Sequence, residues 1–135
     1  MNCPFCAIIN KKIQSNIVYE TDNVIAFLDI DPINEGHILV VPKIHKAAIH
    51  EIPLPVLTET MNILQKISIA IIEVYQNKGY SIMQNGGDFC DFGHAHFHIF
   101  PRYENDGFGW IYPEGSFEAS KKVAEKIRVA LQNVR

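Results

Sequence analysis

Three histidines alternate with apolar residues in the stretch Gly93-His94-Ala95-His96-Phe97-His98-Ile99-Phe100-Pro101-Arg102. Successive side chains of a β-strand point to opposite faces. The alternation therefore predicts a strand whose apolar residues face a core and whose histidines share the other face. Proline cannot donate a hydrogen bond to a sheet ladder, so Pro101 is expected to end the strand.

Three interpretations of this histidine face are open. The first is an exposed polar face, although histidine is an uncommon residue for that purpose. The second is a metal site, because histidines two residues apart on a strand can share one zinc ion. The third is nucleophilic catalysis, in which an imidazole nitrogen attacks phosphorus and forms a covalent intermediate. That chemistry needs neighbours that fix the imidazole tautomer and stabilise the developing charge.

Length and composition favour a globular domain. The chain has 135 residues, of which 47% are hydrophobic and 20% charged, and this suits a single domain over residues 1–135. The net charge of −3 gives no electrostatic case for binding nucleic acid. No apolar run reaches the length of a membrane span, and no signal peptide is recognisable. We therefore expect a cytoplasmic protein without nucleic-acid or membrane partners.

Periodicity and turn residues predict the remaining elements. A short helix is expected within residues 3–13, and strands at 17–20, 23–29, 37–42 and 80–84. A terminal helix over 117–133, capped by Ser116, has a predicted inner face of Val123, Ile127, Ala130, Leu131 and Val134. Most connections between strands are short. This order favours a mainly antiparallel sheet covered by helices, an α+β domain.

The longest predicted helix covers residues 55–77, with Gly79 as its C-cap residue. Its expected buried stripe consists of Leu57, Met61, Leu64, Ser68, Ile71 and Tyr75. Ile63, Ile67, Ala70 and Val74 extend the apolar surface further round. A helix that is apolar on most sides is buried on more than one side, and in a domain of this size that predicts a homodimer.

The N-terminal pair of Cys3 and Cys6 has the spacing of metal-binding cysteines. In a reducing compartment such a pair favours a metal or redox role over a disulfide scaffold, and no strand precedes it as in a thioredoxin-like motif. Two thiolates need two further ligands to close a tetrahedron. The spacing alone does not identify those ligands.

The histidine strand resembles the signature of the histidine-triad family of nucleotide hydrolases and transferases. Segments that resemble the family, in family order, also occur around Cys3 and Cys6 and at residues 18–20, 26–32, 36–45 and 84–86. The resemblance covers residues 1 to about 102. It implies a five-stranded antiparallel sheet with a long central helix and a C-terminal helix, and usually a homodimer.

The resemblance also implies an activity and the residues that perform it. Members cleave a phosphoanhydride or phosphoramidate bond at the α-phosphorus of a nucleotide. His96 would be the nucleophile, and water would hydrolyse the nucleotidyl-histidine to release a nucleoside monophosphate. His98 and His37 would contact the phosphate or hold His96 in its tautomer. Asn85 would donate to the phosphate or the leaving group, and Asp29 would accept from the ribose hydroxyls.

The substrate implied by the resemblance is a dinucleoside polyphosphate or an adenosine phosphoramidate, with adenine as the family tendency. The alternative is a nucleotide-binding dimeric scaffold with negligible turnover. One family subset carries a structural zinc, whose ligands resemble Cys3, Cys6, His45 and His94. Such a closed site leaves no position for water activation.

The chain departs from the family pattern just before the histidines. Cys90 and Asp91 stand where many members carry a Gln and a Ser that help to bind phosphate, and a carboxylate repels phosphate unless it is turned away or protonated. The leaving-group preference is therefore open. Cys90 is expected to be a small packed residue. Phe108 and Trp110 either pack a loop onto the core or a partner, or stack on a base.

Overall fold

The computed structural model describes residues 2–134 and contains a five-stranded antiparallel sheet with three α-helices. The elements are α1 (Pro4–Ile9), β1 (Ile17–Glu20), β2 (Val24–Leu28), β3 (Ile38–Pro42), α2 (Leu54–Tyr75), β4 (Gly79–Met83), β5 (Phe97–Arg102) and α3 (Lys121–Gln132). The strand order is β1-β2-β3-β5-β4, and every pairing is antiparallel. The predicted α+β class and five-stranded sheet are confirmed.

Strand alternation gives the sheet an apolar layer on each face. One layer packs against α2 and contains Val24, Ala26, Ile38, Val40, Phe97 and Ile99. The other packs against α1 and contains Ile25, Phe27, Leu39 and Val41, together with Cys3, Phe5 and Ile8. The central strands β2 and β3 are therefore buried on both sides, which explains their nearly continuous apolar sequences.

The bounds of α2 differ from the prediction. The helix ends at Tyr75, and the C-cap residue is Gln76 in a left-handed conformation (φ 50°), so the assignment of Gly79 as C-cap is wrong. Gly79 is instead the first residue of β4. The Asn77 side chain donates to the carbonyl oxygens of Gly79 and Arg102 at 2.6 and 3.3 Å, which ties this turn directly to the sheet.

The buried stripe of α2 is rotated from the predicted one. The buried residues are Thr60, Ile63, Leu64, Ile67 and Ile71. Met61, expected inside, is 40% exposed, and Val74 is also exposed. Ile63 and Ile67, predicted only to extend the apolar surface, belong to the buried cluster that packs on the sheet together with Ile71.

The histidine strand begins later than predicted. Regular pairing starts at Phe97, so His94 and His96 precede β5. Two short 3₁₀ turns, Gly87–Phe89 and Asp91–Gly93, lead into it, and Phe92 has a left-handed backbone (φ 61°). The strand also runs through Pro101, which pairs with Tyr80, so Pro101 does not end it.

The C-terminal helix α3 is shorter than predicted and lies apart from the core. It begins at Lys121, and its N-cap is Ser120, whose hydroxyl accepts from the Val123 amide at 3.2 Å; the predicted cap Ser116 is wrong. Every residue of α3 is exposed in the described chain. The predicted inner face, from Val123 to Val134, is therefore an exposed apolar stripe rather than part of the core.

The loop between β2 and β3 sets the position of His37. Gly36 has φ +90°, and a Cβ atom at this position would lie 2.5 Å from the Tyr75 ring, so glycine is needed for both backbone conformation and space. The carbonyl oxygen of His37 accepts from the Asp29 amide at 2.9 Å. Together these contacts hold Asp29, after the end of β2, close to His37, before the start of β3.

The loop after β5 is fixed by an ion pair. The Arg102 guanidinium donates to both carboxylate oxygens of Asp106, at 2.7 and 3.1 Å, and it holds the pKa of that carboxyl well below its usual range. Phe108 packs on Phe100 at a centroid distance of 5.1 Å, as the packing interpretation expects. Trp110 is 83% exposed. Within residues 2–134, no helix is long and apolar enough to cross a membrane.

Candidate active site and metal centre

The first cluster of chemically active side chains joins the N-terminus to the histidine segment. The Sγ atoms of Cys3 and Cys6 each lie 3.5 Å from Nδ1 of His94. Nδ1 of His45 lies 3.3 Å from Sγ of Cys6 and 3.1 Å from Nδ1 of His94. All four potential ligand atoms lie within 4.8 Å of one another, so the cluster can hold a metal ion.

The donor set and its spacing fit a tetrahedral metal ion. A tetrahedron with the usual Zn–S and Zn–N bond lengths has edges of roughly 3.3–3.8 Å, close to the 3.1–3.5 Å separations between His94, its two cysteines and His45. Nε2 of His94 lies 2.8 Å from the carbonyl oxygen of Pro42. A carbonyl only accepts, so Nε2 carries the proton and the Nδ1 lone pair points at the thiols. The fully buried His94 is thus oriented as a ligand.

The two cysteines of this cluster belong to the layer in which α1 packs against the sheet. The N-terminal turn of α1 places them, because Pro4 begins the helix and the Cys3 sulfur accepts from the Cys6 amide at 3.4 Å. Burial raises the pKa of the Cys6 thiol, and the neighbouring Cys3 adds to that increase. A bound cation would have the opposite effect, since it stabilises the thiolate.

The second cluster lines a cavity on the same face of the sheet. The cavity has a volume of about 630 Å³. Its apolar part includes Phe5, Ile8, Ile13 and Phe27, and its polar part includes Asp29, Asp31, Asp91, His37, His96 and His98. A pocket with a large apolar surface and a few converging polar groups is the usual form of a small-molecule site.

The tautomers of two of these histidines follow from a chain of hydrogen bonds. The backbone amide of Ile33 donates to Nδ1 of His37 at 3.0 Å, so neutral His37 carries its proton on Nε2. That nitrogen lies 2.9 Å from Nδ1 of His98 and donates to it. His98 therefore carries its own proton on Nε2, where it can donate to a ligand.

The tautomer of His96 is set by its own main chain. Nδ1 of His96 lies 2.7 Å from the carbonyl oxygen of His94 and must donate to it. Its Nε2 atom is left with a free lone pair on the ring that lines the cavity. The ring is only 4% exposed and is held between Phe5, at a centroid distance of 4.8 Å, and His98, at 5.0 Å. The site thus presents a nucleophilic nitrogen beside an N–H donor.

Burial lowers the pKa values of His37 and His98 and so favours their neutral forms. Burial lowers the pKa of His98 to about 4, and the neighbouring His96 and His37 lower it further, against the opposing effects of Asp29 and Asp91. Burial also lowers the pKa of His37, although Oδ2 of Asp29 lies 3.5 Å from its Nε2 atom. The effect of burial on the His37 pKa is larger than the opposing effect of the Asp29 carboxylate. The contact is therefore one between Asp29 and a neutral imidazole.

A second group of potential metal ligands is less suited to a metal ion. Donor atoms of Asp29, His37 and His98 also lie within 4.8 Å of one another. However, the Ile33 amide places the His37 proton on Nε2, the atom that faces the other two residues. A metal ligand must offer a lone pair instead. The hydrogen-bonded chain accounts for this group without a metal.

The residues that the resemblance assigned to a zinc site and those that it assigned to catalysis lie in two different clusters. His94 and His45 lie with the cysteines, whereas His37, His96, His98 and Asp29 line the cavity. Asn85 is exposed and lies outside the residues that line the cavity. Cys90 is buried, as expected for a packed residue.

Sequence reasoning missed the apolar wall of the cavity and the main-chain partners of the histidines. Phe5 and Ile8 appeared only as residues of a short helix, although their side chains line the cavity. The wall could have been found from the apolar face of α1 next to the two cysteines. The carbonyl of Pro42 and the amide of Ile33 leave no signal in the sequence.

Comparison with known proteins agrees with this geometry. The family model described as HIT domain matches residues 10–105. The chain therefore belongs to the HIT domain family, and the histidine-triad resemblance of the sequence is confirmed. As a member it is a HIT-type nucleotide hydrolase.

Individual relatives and solved structures match nearly the whole chain. The adenosine 5'-monophosphoramidase of Saccharomyces cerevisiae is 36% identical over 135 residues, which cover 96% of this chain and 83% of that protein. The crystal structure of a HIT family member from Bacillus subtilis has a TM-score of 0.86 and 32% identity, with 100% and 99% of the two chains covered. A zinc-bound histidine triad family protein from Mycobacterium smegmatis has a TM-score of 0.74 and 29% identity, with 98% and 94% covered.

Proposed function

We propose that the protein cleaves the bond between the α-phosphorus of an adenine nucleotide and its leaving group, through a covalent intermediate on His96. The observation that carries this proposal is the orientation of His96. Its Nδ1 proton is held by the His94 carbonyl at 2.7 Å, which leaves the Nε2 lone pair facing the cavity.

The reaction proceeds in two displacements. Nε2 of His96 attacks the α-phosphorus, and the leaving group departs with its bonding electron pair and takes a proton from water. His98 donates its Nε2 proton in a hydrogen bond to a phosphoryl oxygen and stabilises the charge there. Water then attacks the same phosphorus and gives up a proton, and His96 regains its lone pair as the nucleoside monophosphate leaves.

The remaining wall of the cavity suits a nucleoside. Phe5, Ile8 and Phe27 offer apolar surface to a base, and the Asp29 carboxylate can accept from the ribose hydroxyls. The assignment of Asn85 to the phosphate or leaving group stays a prediction, because this side chain is outside the cavity wall. The name of the yeast relative supports adenosine phosphoramidate as substrate, and a dinucleoside polyphosphate is the other candidate.

We further propose that the ion held by Cys3, Cys6, His45 and His94 is a structural zinc. The support is the donor set, the tetrahedral spacing and the zinc-bound relative. Four protein ligands leave no coordination position for substrate or water, so the ion would tie α1 to the histidine segment. His96, two residues from a ligand, would be fixed by it.

A homodimer is the third part of the proposal. Its support is the apolar surface beside the edge strand β4, where Met61, Tyr80 and Ile82 are all at least 40% exposed. Edge strands with exposed apolar neighbours are usually covered by another chain. The cytoplasmic location stays a prediction from the sequence.

The proposal is tested by measuring release of nucleoside monophosphate from diadenosine tetraphosphate, diadenosine triphosphate and adenosine 5'-phosphoramidate. The wild type is expected to turn over at least one of them. His96→Ala should lower turnover by on the order of 10⁴-fold or more, since the nucleophile is absent. Binding of adenosine monophosphate, measured by calorimetry, should stay within a few-fold of the wild type.

Equal turnover by wild type and His96→Ala would exclude His96 as the nucleophile. Nucleotide binding without turnover by the wild type would instead favour the dimeric scaffold.

The Asn85 assignment can be tested in the same assay, since Asn85→Ala should lower turnover only if this side chain contacts the phosphate or the leaving group.

A further inference from the structure

The charge lining the cavity is unusual for a site that binds phosphates. Three carboxylates, those of Asp29, Asp31 and Asp91, line it, and none of the described lining residues is a lysine or arginine. His37 and His98 add no positive charge, because each accepts a hydrogen bond at Nδ1 and is therefore neutral. A polyanionic substrate would therefore meet net negative charge in this chain.

The three carboxylates are not equivalent. Oδ1 of Asp29 accepts from the Asp31 amide at 2.9 Å, and Oδ2 of Asp29 contacts His37. Asp29 and Asp31 both belong to the loop that follows β2. The Asp91 carboxylate makes no hydrogen bond or ion pair with any described residue, yet it lines the cavity together with His96 and His98. Asp91 is exposed at this cavity, and an unpaired carboxylate that lines it acts on the charge of a bound substrate.

Asp91 is held in this position by the local backbone. It begins the 3₁₀ turn Asp91–Gly93, which follows the buried Cys90. The next residue, Phe92, has φ 61° and packs its ring edge on Phe5 at a centroid distance of 5.5 Å. Asp91 and Phe92 are both exposed, and the contact with Phe5 ties this turn to the cavity wall.

We propose that Asp91 selects the leaving group, favouring phosphoramidates whose leaving amine carries an additional positive charge and disfavouring anionic polyphosphate leaving groups. This inference rests on the proposed function. Asp91 lines the same cavity as His96, so a leaving group on the phosphorus that His96 attacks comes within range of its charge. In the reaction the P–N bond breaks, its electron pair passes to nitrogen, and the amine leaves after taking one proton from water.

The expected size of the effect follows from Coulomb attraction. For unit charges about 6 Å apart in the partly hydrated mouth of a cavity, the interaction changes a rate constant by on the order of tenfold. Added salt weakens attraction between exposed charges, because the Debye length falls to about 3 Å at 1 M. The preference should therefore become smaller at high ionic strength.

The experiment uses two substrates that differ only in the charge of the leaving amine. They are the adenosine 5'-phosphoramidates of 1,2-diaminoethane, which leaves with a free ammonium group, and of propylamine, its neutral isostere. Diadenosine tetraphosphate is the anionic comparison. The wild-type enzyme, Asp91→Asn and the control Asp88→Asn are compared by their kcat/KM values. Asp88 is exposed on the same loop and does not line the cavity.

The wild type should prefer the cationic over the neutral substrate by roughly five- to twentyfold. Asp91→Asn should bring this ratio close to one and raise kcat/KM for diadenosine tetraphosphate several-fold, while Asp88→Asn keeps the wild-type ratios. A wild type without preference, or a preference that persists in Asp91→Asn, would overturn the role of Asp91. Absence of turnover of all three substrates would instead contradict the proposed function itself.

Discussion

His94 and His96 are separated by one residue but have different environments. A main-chain carbonyl determines which ring nitrogen of each histidine carries the proton. Nε2 of His94 donates to the Pro42 carbonyl and frees Nδ1 for the cysteines. Nδ1 of His96 donates to the His94 carbonyl and frees Nε2 for the cavity. The two rings thus present opposite nitrogens, one to the cysteines and the other to the cavity.

The residues of both clusters could be predicted from the sequence, but their roles could be assigned only by resemblance. Alternation places three imidazoles on one side of a strand, and nothing in that pattern separates His94 from His96. The separation arises because the segment before Phe97 is irregular and uses its own carbonyls as acceptors. Carbonyl groups are present at every position, so composition and spacing carry no information about them.

At the residue scale, Asp29 is expected to recognise the ribose. A hydrogen bond to a carboxylate typically contributes about 1.5–3 kcal/mol, so a 2'-deoxy substrate should have a kcat/KM value lowered by about ten- to a hundredfold in the wild type. Asp29→Ala should lower kcat/KM for the ribose substrate and largely abolish the difference between the two sugars.

Comparing the two sugars within each variant provides the internal control, because Asp29 also contacts His37 and its loss can affect catalysis generally. The ribose assignment would be contradicted if Asp29→Ala discriminated between the sugars as strongly as the wild type.

At the scale of elements, α1 connects the two clusters. This six-residue helix supplies Cys3 and Cys6 to the metal cluster and Phe5 and Ile8 to the cavity wall. A helix this short has little stability by itself and depends on its packing and ligands. Metal binding should therefore stabilise the cavity as well as the N-terminus.

Loss of a cysteine ligand is expected to release the metal. Wild-type protein should contain one zinc per chain, and Cys3→Ser should lose it, with a decrease in melting temperature on the order of 5–15 °C. Cys90→Ser removes the remaining thiol of the chain, which is outside the cluster, and should keep the zinc. Zinc content is measured by atomic absorption and stability by calorimetry.

Full zinc occupancy in Cys3→Ser would show that the metal binds elsewhere. Loss of zinc in Cys90→Ser would likewise contradict the proposed ligand set.

Element boundaries were predicted less well than the elements themselves. Gly79 was expected to cap α2 because glycine favours the left-handed conformation, yet Gln76 adopts it (φ 50°) and Gly79 begins β4. Both Ser116 and Ser120 precede stretches that can form a helix, and Ser120 is the N-cap residue of α3. Such local signals occur at several positions, and tertiary contacts choose among them.

At the scale of the whole molecule, the sheet is covered on both faces but leaves apolar surface beside one edge. The strand order places β1 and β4 at the two edges. Beside β4, Ile82 is 44% exposed next to Met61 of α2. A second copy of the chain would cover this surface.

A charge beside β4 is therefore expected to disrupt the dimer. Ile82→Lys should convert a wild-type dimer into a monomer in analytical ultracentrifugation, because a buried lysine without a partner is strongly unfavourable. Val18→Lys is the matched control, since Val18 is 48% exposed on the opposite edge strand β1, and it should remain dimeric. A monomeric wild type, or a dimer that persists in Ile82→Lys, would contradict this interface.

The most direct test of the central claim is to trap the covalent intermediate. Enzyme mixed with adenosine 5'-phosphoramidate would be quenched within one turnover at alkaline pH, where an N–P bond to histidine survives, and its peptides analysed by mass spectrometry. We expect one adenosine monophosphate on the peptide containing His96, attached at that residue, and none in His96→Ala. Attachment to another residue, or turnover with no covalent intermediate, would contradict it.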